Sequence, residues 1–153
     1  MARVELEQVI HAPVEVVYAV AKDVEAFPQF MPDVKSVRVL ERSEDGSRTL
    51  TEWVAYASQL KLQVKWVEED LWNDQERTCH FRQAKGDYDQ MEGVWRFEPH
   101  PEGTLFKCVL DYELRVPLLG AIVQKVVHHL VQQNLKGIME GIKQRAEAVA
   151  RGA

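Results

Sequence analysis

Several features that would place this chain in a specialised class are missing from its sequence. It has only two cysteines, Cys79 and Cys108, without metal-ligand spacing, so neither a disulfide scaffold nor a zinc site is indicated. No run of about 18 apolar residues argues for a membrane span, and the N-terminus lacks the apolar stretch of a secretion signal. Acidic residues outnumber basic ones, 24 to 19, and the formal net charge of −5 makes nucleic acid a poor partner. These absences predict a cytoplasmic protein that spans no membrane.

Motifs for catalysis and metal binding are missing as well. There is no HExxH zinc motif and no GxSxG nucleophile elbow. His128 and His129 are adjacent on a predicted helix, so their side chains diverge and cannot chelate one ion. The acidic run Glu68-Glu69-Asp70 is interpreted as the solvated end of a strand rather than as an acid/base pair. We therefore predict no catalytic residue, no metal site and no cofactor.

What the sequence does contain is one continuous pattern of strands and helices. No linker or repeat divides its 153 residues, of which 46% are hydrophobic, so residues 1–153 are predicted to form a single domain. An alternating strand at the N-terminus stops at Pro13, which opens the first of two short helices. From Asp33 onward the apolar period is two. The predicted strands cover 34–43, 48–58, 60–72, 77–85, 90–98 and 104–115.

Six consecutive strands with short turns predict an antiparallel meander, with the N-terminal strand paired at one of its edges. One strand separates Cys79 from Cys108, about 10 Å, which is too far for a disulfide. After Pro117 the pattern is helical to the end, about 33 residues or roughly 50 Å. The apolar stripe of this helix is assigned to Leu119, Val123, Val126, Leu130, Ile138 and Ile142. The order β-α-α-β6-α predicts an α+β fold in which a curved sheet grips one long helix.

A single helix cannot cover seven strands completely, so a cavity is expected between sheet and helix. Strand parity and the helix stripe assign apolar and aromatic side chains to its wall, together with one helical amide in register with the stripe. The predicted lining residues are Trp53, Trp66, Phe81, Met91, Trp95, Phe97, Tyr112, Val123, Val126, Leu130 and Asn134. The parity of the strand that carries Trp53 is the least regular, because Val54 and Tyr56 lie on the opposite face.

Three stretches of sequence resemble a known family. Residues 10–32, which include His11-Ala12-Pro13 and Phe27-Pro28, are similar to the polyketide cyclase/dehydrase group of the START-like (SRPBCC) superfamily. Residues 92–97 and 110–119 match it too, and the branch that looks nearest comprises coenzyme Q-binding START proteins and ribosome-association toxin relatives. The resemblance covers essentially the whole chain. It implies a helix-grip fold with an internal cavity for a sterol, quinone, polyketide or similar ligand.

Three functions are compatible with this sequence. The first is binding or transport of a hydrophobic small molecule such as a lipid, quinone or polyketide. The second is an aromatase/cyclase reaction on a polyketide, in which Tyr56, Tyr112 or Arg82 would supply a proton or stabilise an enolate. The third is interaction with a ribosome or protein through the long helix. The basic and polar residues of that helix face are Lys125, Lys136, Lys143, Gln144 and Arg145. The oligomeric state is not indicated.

Overall fold

The computed structural model of the chain describes residues 1–57, 61–114 and 120–152. Its elements follow the predicted order, with a short 3₁₀ helix in place of the second α-helix. The strands are β1 (Ala2–Ile10), β2 (Val34–Arg42), β3 (Arg48–Ala57), β4 (Leu62–Asn73), β5 (Thr78–Gly86), β6 (Gln90–His100) and β7 (Gly103–Glu113). The helices are α1 (Val14–Lys22), the 3₁₀ helix (Val24–Gln29) and α2 (Gly120–Ala150).

The strands form one antiparallel sheet in the order β1-β7-β6-β5-β4-β3-β2. β2 to β7 are a simple meander, because each connection is too short for a crossover. β1 pairs with β7 from Ala2 opposite Tyr112 to Ile10 opposite Thr104, which confirms that the first strand lies at an edge of the meander. An ion pair between Arg3 and Asp111, with 2.8 Å between Nε and Oδ1, joins the same two strands on the outer face.

Cys79 on β5 and Cys108 on β7 flank β6, and both are free and buried. Their side chains point to the concave face of the sheet, as the alternation of β5 and β7 predicts. On β7 every second residue from Thr104 to Leu114 is buried, whereas the residues between them are half-exposed. The period-two reading of this strand is therefore correct.

The buried stripe of α2 differs from the predicted one. Val126 is 39% exposed and Leu130 only half-buried, whereas the residues next to them, Val127 and Val131, are 3% and 8% exposed. Both faces of this part of the helix carry apolar residues, so the apolar periodicity alone does not show which face packs against the sheet. The face toward the sheet is the one that continues without interruption through Leu135, Ile138, Met139, Ile142 and Ala146. Leu119 and the side chain of Val123 lie outside the part of the chain that the structure describes.

Contacts between β1 and the C-terminal half of α2 fix this helix against the sheet. The side chain of Gln8 on β1 donates to the Met139 carbonyl at 2.6 Å, and Lys143 Nζ donates to the Val9 carbonyl at 3.2 Å. Gly141 lies against the side chain of Met31, where a Cβ atom would come within 2.7 Å of Met31 Cγ. Gly137, one turn earlier, has open space around it. Among the described helices, none is long and apolar enough to cross a membrane.

Candidate functional site

The space between the sheet and α2 contains a cavity of about 60 Å³. All four tryptophans of the sequence line it: Trp53 on β3, Trp66 and Trp72 on β4, and Trp95 on β6. The other lining residues are Val24, Glu68, Asp70, Cys79, Phe81, Tyr88, Met91, Leu110, Val131, Asn134, Leu135 and Ile138. The wall is thus aromatic on the sheet side and aliphatic on the helix side, with a few polar groups between.

Strand register determines how these rings meet. Trp53 and Trp66 are direct partners across β3 and β4, and their rings stack at 5.8 Å with only 5° between the planes. Phe81 lies opposite Gly93 across β5 and β6. A Cβ atom on Gly93 would come within 2.5 Å of Phe81 Cζ, so the glycine leaves room for the phenyl ring to lie over the β6 backbone.

Six of the eleven predicted lining residues meet at this cavity: Trp53, Trp66, Phe81, Met91, Trp95 and Asn134. Leu130 lines a second cavity of about 40 Å³ beside the first. Phe97 and Tyr112 are buried on the concave face but line neither cavity. Val126 is turned to solvent, because the opposite face of α2 packs against the sheet. The side chain of Val123 lies outside the part of the chain that the structure describes.

Phe97 and Tyr112 are kept from the cavities by their own partners. Phe97 stacks on Phe106 with ring centroids 4.5 Å apart and forms part of the closed core under α1. The Tyr112 hydroxyl lies 2.8 Å from Nδ1 of His128 on α2, and the two rings are nearly parallel. Both residues are large aromatics of the correct parity, so alternation alone does not distinguish them from the lining set.

The main difference from the sequence interpretation concerns the acidic run on β4. Glu68 and Asp70 are not solvated: they are 6% and 4% exposed and line the cavity between Trp66 and Trp72. Only Glu69, of opposite parity, faces outward. The reason is the alternation of β4 itself, which gives residues 66, 68, 70 and 72 the same face.

A closed hydrogen-bond network holds the two inner carboxyl groups. Asp70 Oδ2 accepts from Thr51 Oγ1 at 2.7 Å and from Thr49 Oγ1 at 3.2 Å. Glu68 Oε1 accepts from the indole Nε1 of Trp66 at 2.8 Å. Glu68 and Asp70 are both buried on the same face of β4, and two neighbouring carboxyl groups in a buried site disfavour a second negative charge.

Burial raises the pKa of both carboxyl groups, and that of Glu68 well above its ordinary value of 4.5. The negative charge on Asp70 raises the pKa of Glu68 further, whereas the hydrogen bonds from Glu68, Thr51 and Thr49 act in the opposite direction on Asp70. Burial thus favours the protonated form of Glu68, whereas Asp70 accepts hydrogen bonds from two threonine hydroxyls. The resulting site has two buried carboxyl groups in an otherwise apolar wall.

Tyr88 is a further cavity residue that the sequence interpretation did not single out. It lies in the turn between β5 and β6, where the Gln83 side chain binds its backbone from both sides: Nε2 donates to the Tyr88 carbonyl at 2.9 Å, and Oε1 accepts from its N–H at 3.2 Å. The ring is thereby held over the concave face, edge-on to Trp66 and Tyr112. Burial raises the pKa of its hydroxyl.

The two cavities share three lining residues, Tyr88, Val131 and Asn134. The second cavity is otherwise bounded by the ends of β3 and β4 and by α2, and Tyr56 belongs to its wall. The two spaces therefore adjoin at these three residues.

Two signals in the sequence point to the residues that the prediction missed. The parity that assigns Trp66 to the concave face also assigns Glu68 and Asp70 to it, irrespective of their charge. Tyr88 is an aromatic residue within a polar turn, which is an unusual position for a large ring. The direction of that ring depends on the hydrogen bonds from Gln83, and no local pattern shows them.

A curved seven-stranded sheet around a long C-terminal helix, with a cavity between them, defines the helix-grip architecture. The sequence pattern of the family described as polyketide cyclase / dehydrase and lipid transport matches residues 10–139. The chain therefore belongs to this family, as the sequence resemblance indicates.

Solved structures share the fold of this chain. The protein TTHA0849 from Thermus thermophilus is 37% identical, with a TM-score of 0.90 and coverage of 97% of this chain and 99% of that one. The Zhui aromatase/cyclase from Streptomyces sp. R1128 has the same fold at 18% identity, with a TM-score of 0.85 and coverage of 95% and 93%. A START superfamily protein from Mycobacterium smegmatis superposes with a TM-score of 0.78 at 23% identity, over 96% and 98% of the two chains.

Proposed function

We propose that this protein binds a hydrophobic small molecule, of the lipid, quinone or polyketide kind, in the cavity between the sheet and α2. The observation that carries the proposal is the position of the four tryptophans, all of which line one space. A core built only for stability fills its interior to crystal-like density, whereas an aromatic wall that leaves a cavity is typical of ligand sites. The family description, which includes lipid transport, supports this assignment.

The size of the site sets a condition on the ligand. A cavity of about 60 Å³ has room for roughly four waters or a small ring, because one water needs on the order of 10–15 Å³ on the same measure. A longer ligand needs the adjoining space as well, so Tyr88 must move when it enters. We infer that the two cavities are halves of one binding chamber that Tyr88 divides when no ligand is bound.

The test is to fill the chamber from the helix side. Val131 lines both cavities, so Val131→Phe should reduce the affinity for 2-naphthaleneethanol, measured by isothermal titration calorimetry, at least about tenfold. Val126→Phe, on the exposed face of the same helix, is the matched control and should bind as the wild type does. Ile138→Phe is a second filling variant in case Val131→Phe does not fold. Unchanged binding in both filling variants, with normal thermal unfolding, would contradict the proposal.

A second candidate function is the aromatase/cyclase reaction, and one observation favours it. A carboxyl group whose pKa is raised by burial in an apolar cavity is suited to act as a general acid, and Glu68 is such a group. Of the three side chains first considered for this chemistry, Tyr56 lines the second cavity and Tyr112 is bound to His128. Arg82 lies on the outer face, paired with Glu69.

This candidate predicts that the protein alters the product profile of a minimal polyketide synthase. Glu68→Gln, which keeps the shape but cannot release a proton, should abolish the change. Glu69→Gln, on the outer face of the same strand, should retain it. An identical product profile with and without the wild-type protein would contradict the aromatase/cyclase function and leave ligand binding as the proposed function.

The third candidate function is interaction with a ribosome or protein through the long helix. The basic surface available for it is smaller than the sequence suggested. Lys125, Lys136 and Arg145 are exposed, but Lys143 is bound to the Val9 carbonyl and lies 3.8 Å from Glu147. Co-sedimentation of the protein with ribosomes at moderate salt would support this function.

A further inference from the structure

The sheet has two edge strands, β1 and β2, and they differ in regularity. β2 is interrupted by register shifts between Val34 and Ser36 and between Val39 and Glu41, and the Glu25 carboxylate accepts from the N–H of Val39 at 3.1 Å. Bulges and side-chain contacts of this kind keep another strand from pairing with an edge. β1 instead pairs with β7 over nine residues in continuous register, so it is the straighter of the two edges.

The C-terminal half of the β1 edge is closed by α2. Lys143 donates to the carbonyl of Val9, and the Glu147 carboxylate accepts from the N–H of His11 at 2.9 Å. The Ile10 carbonyl lies on the other side of the strand, against β7. Because the backbone groups of an antiparallel strand alternate between its two sides, the odd-numbered residues of β1 direct their N–H and C=O groups to the free edge.

The N-terminal half of this edge is open. Arg3, Glu5 and Glu7 are odd-numbered, and within the described parts of the chain no other residue binds their outward N–H and C=O groups. Their side chains are exposed on the outer face, where Arg3 Nη1 lies 3.5 Å from Glu5 Oε1. Charged side chains on an edge normally discourage pairing. Opposite charges two residues apart, however, match an antiparallel copy of the same strand.

We propose that two copies of this chain join at β1 in an antiparallel C2 dimer, which continues the sheet from one copy into the other. In the register centred on Val4, Arg3 lies opposite Glu5 of the second copy, and Glu5 lies opposite its Arg3. Both pairs are of the hydrogen-bonded kind, so the two backbones exchange about four hydrogen bonds. Each pair also places opposite charges side by side. The alternative register centred on Glu5 places two carboxylates face to face, which disfavours it.

The course of α2 relates this axis to the helix. α2 runs antiparallel to β1, because the Gln8 side chain binds the Met139 carbonyl and His128 binds the β7 residue that lies opposite Ala2. Val4 lies a third of the way along β1 from Ala2 to Gln8. An axis through Val4 therefore passes α2 about a third of the way from His128 to Met139.

The flank of α2 beside the β1 edge carries complementary charges about this axis. Lys143 and Glu147 belong to this flank, and helical spacing continues it through Glu140 to Lys125. An axis near Gln132 brings Lys125 opposite Glu140 of the second copy, and both side chains are exposed. Paired strands are only about 4.8 Å apart, so the two helices lie close enough for these long side chains to meet. Strand edge and helix flank thus favour the same occupant, a second copy of this chain.

Charge exchange at the strand edge tests the proposal. In sedimentation equilibrium at low salt and about 100 µM, the wild type should have twice the mass of one chain. Arg3→Glu places only acidic side chains at the axis, and Glu5→Arg only basic ones, so each variant alone should dimerise at least about tenfold more weakly. Mixed in equal amounts, the two variants have opposite charges at both pairs and should form a heterodimer. Glu92→Arg, the same charge change on the outer face of β6, should dimerise as the wild type does.

Two further measurements locate the interface. The outward amide of Arg3 should exchange its hydrogen at least about tenfold more slowly in the wild-type dimer than in Glu5→Arg. Lys125→Glu should weaken dimerisation several-fold, and Glu140→Lys in the same chain should restore it. Near-ultraviolet circular dichroism identical to that of the wild type shows that each variant folds.

Four results would contradict the proposed dimer. A monomeric wild type would overturn it, and so would mixed variants that do not associate. A dimer in which the Arg3 amide exchanges freely would place the interface elsewhere. Unchanged dimerisation of Lys125→Glu would contradict the position of the axis along α2.

Discussion

Three consecutive acidic residues of β4 lie in opposite environments. Glu69 faces outward, where Arg48 and Arg82 hold its carboxylate at 2.7 and 3.2 Å and lower its pKa. Glu68 and Asp70 face inward, where burial raises the pKa of both. The residue types are almost the same, so the difference arises from the alternation of the strand alone. Position on a sheet, rather than residue type, decides whether a carboxyl group is a surface charge or part of a cavity.

The most damaging change should be the truncation of the inner network. Asp70→Ala leaves the hydroxyls of Thr49 and Thr51 without their acceptor in a buried site, so we expect a loss of about 3 kcal/mol in the free energy of unfolding. Urea denaturation at pH 6 measures it. Glu69→Ala on the outer face is the control and should cost far less. Equal losses of unfolding free energy in the two variants would contradict the claim that the inner and outer carboxyl groups of β4 differ in their contribution to stability.

The second prediction uses pH. A carboxyl group whose pKa is raised on folding holds its proton in the native state and releases it on unfolding, so stability is complete below about pH 4.5 and falls as the pH rises through the native pKa. The wild type should therefore lose up to about 1.4 kcal/mol per pH unit for each such group within that window. Glu68→Gln, which imitates the protonated acid, should show a flatter profile between pH 5 and 8.

The groups that face Glu68 do not change this sign. Tyr88, Cys79 and Cys108 all have raised pKa values, that of Cys108 at about 12, so they remain neutral in this range. A parallel pH profile for the wild type and Glu68→Gln, measured by urea denaturation, would show that folding does not raise the pKa of Glu68.

The comparison of faces extends to α2, where two glycines one turn apart have different surroundings. Gly137→Ala, in open space, should stabilise the protein by about 1 kcal/mol, because alanine favours the helix. Gly141→Ala should destabilise it by about 1 kcal/mol, because the new methyl group meets Met31 at 2.7 Å. Thermal unfolding of the two variants provides the measurement. The same sign for both would mean that Met31 moves aside freely.

The smallest effect is expected on the outer face. The pKa of Glu69 is lowered by Arg48 and Arg82, so its contribution is present above about pH 4.5 and is lost as the pH falls, which is opposite to Glu68. The difference in stability between the wild type and Glu69→Gln should shrink both in acid and at 1 M NaCl, since exposed ion pairs are screened by salt. A difference that persists at high salt would contradict this assignment.

The fold was predictable because its signals are local and repeated. Alternation assigns Cys79, Phe81, Trp95 and Leu110 to the concave face, and short turns leave a meander as the only simple topology. The site was predictable only in part. Glu68 and Asp70 have the parity of Trp66, but acidic side chains are normally solvated, and the threonines that satisfy Asp70 come from another strand. Val126 and Val127 are identical residues, so only the tertiary contact distinguishes them.

The position of the four tryptophans has a spectroscopic consequence. Every indole in the chain borders one cavity, so tryptophan emission, excited at a wavelength that tyrosine does not absorb, reports on that space. The far-ultraviolet signal, by contrast, averages over all strands and helices. If α2 loosens from the sheet before the sheet itself melts, the two signals will change at different denaturant concentrations, and the protein will depart visibly from two-state unfolding.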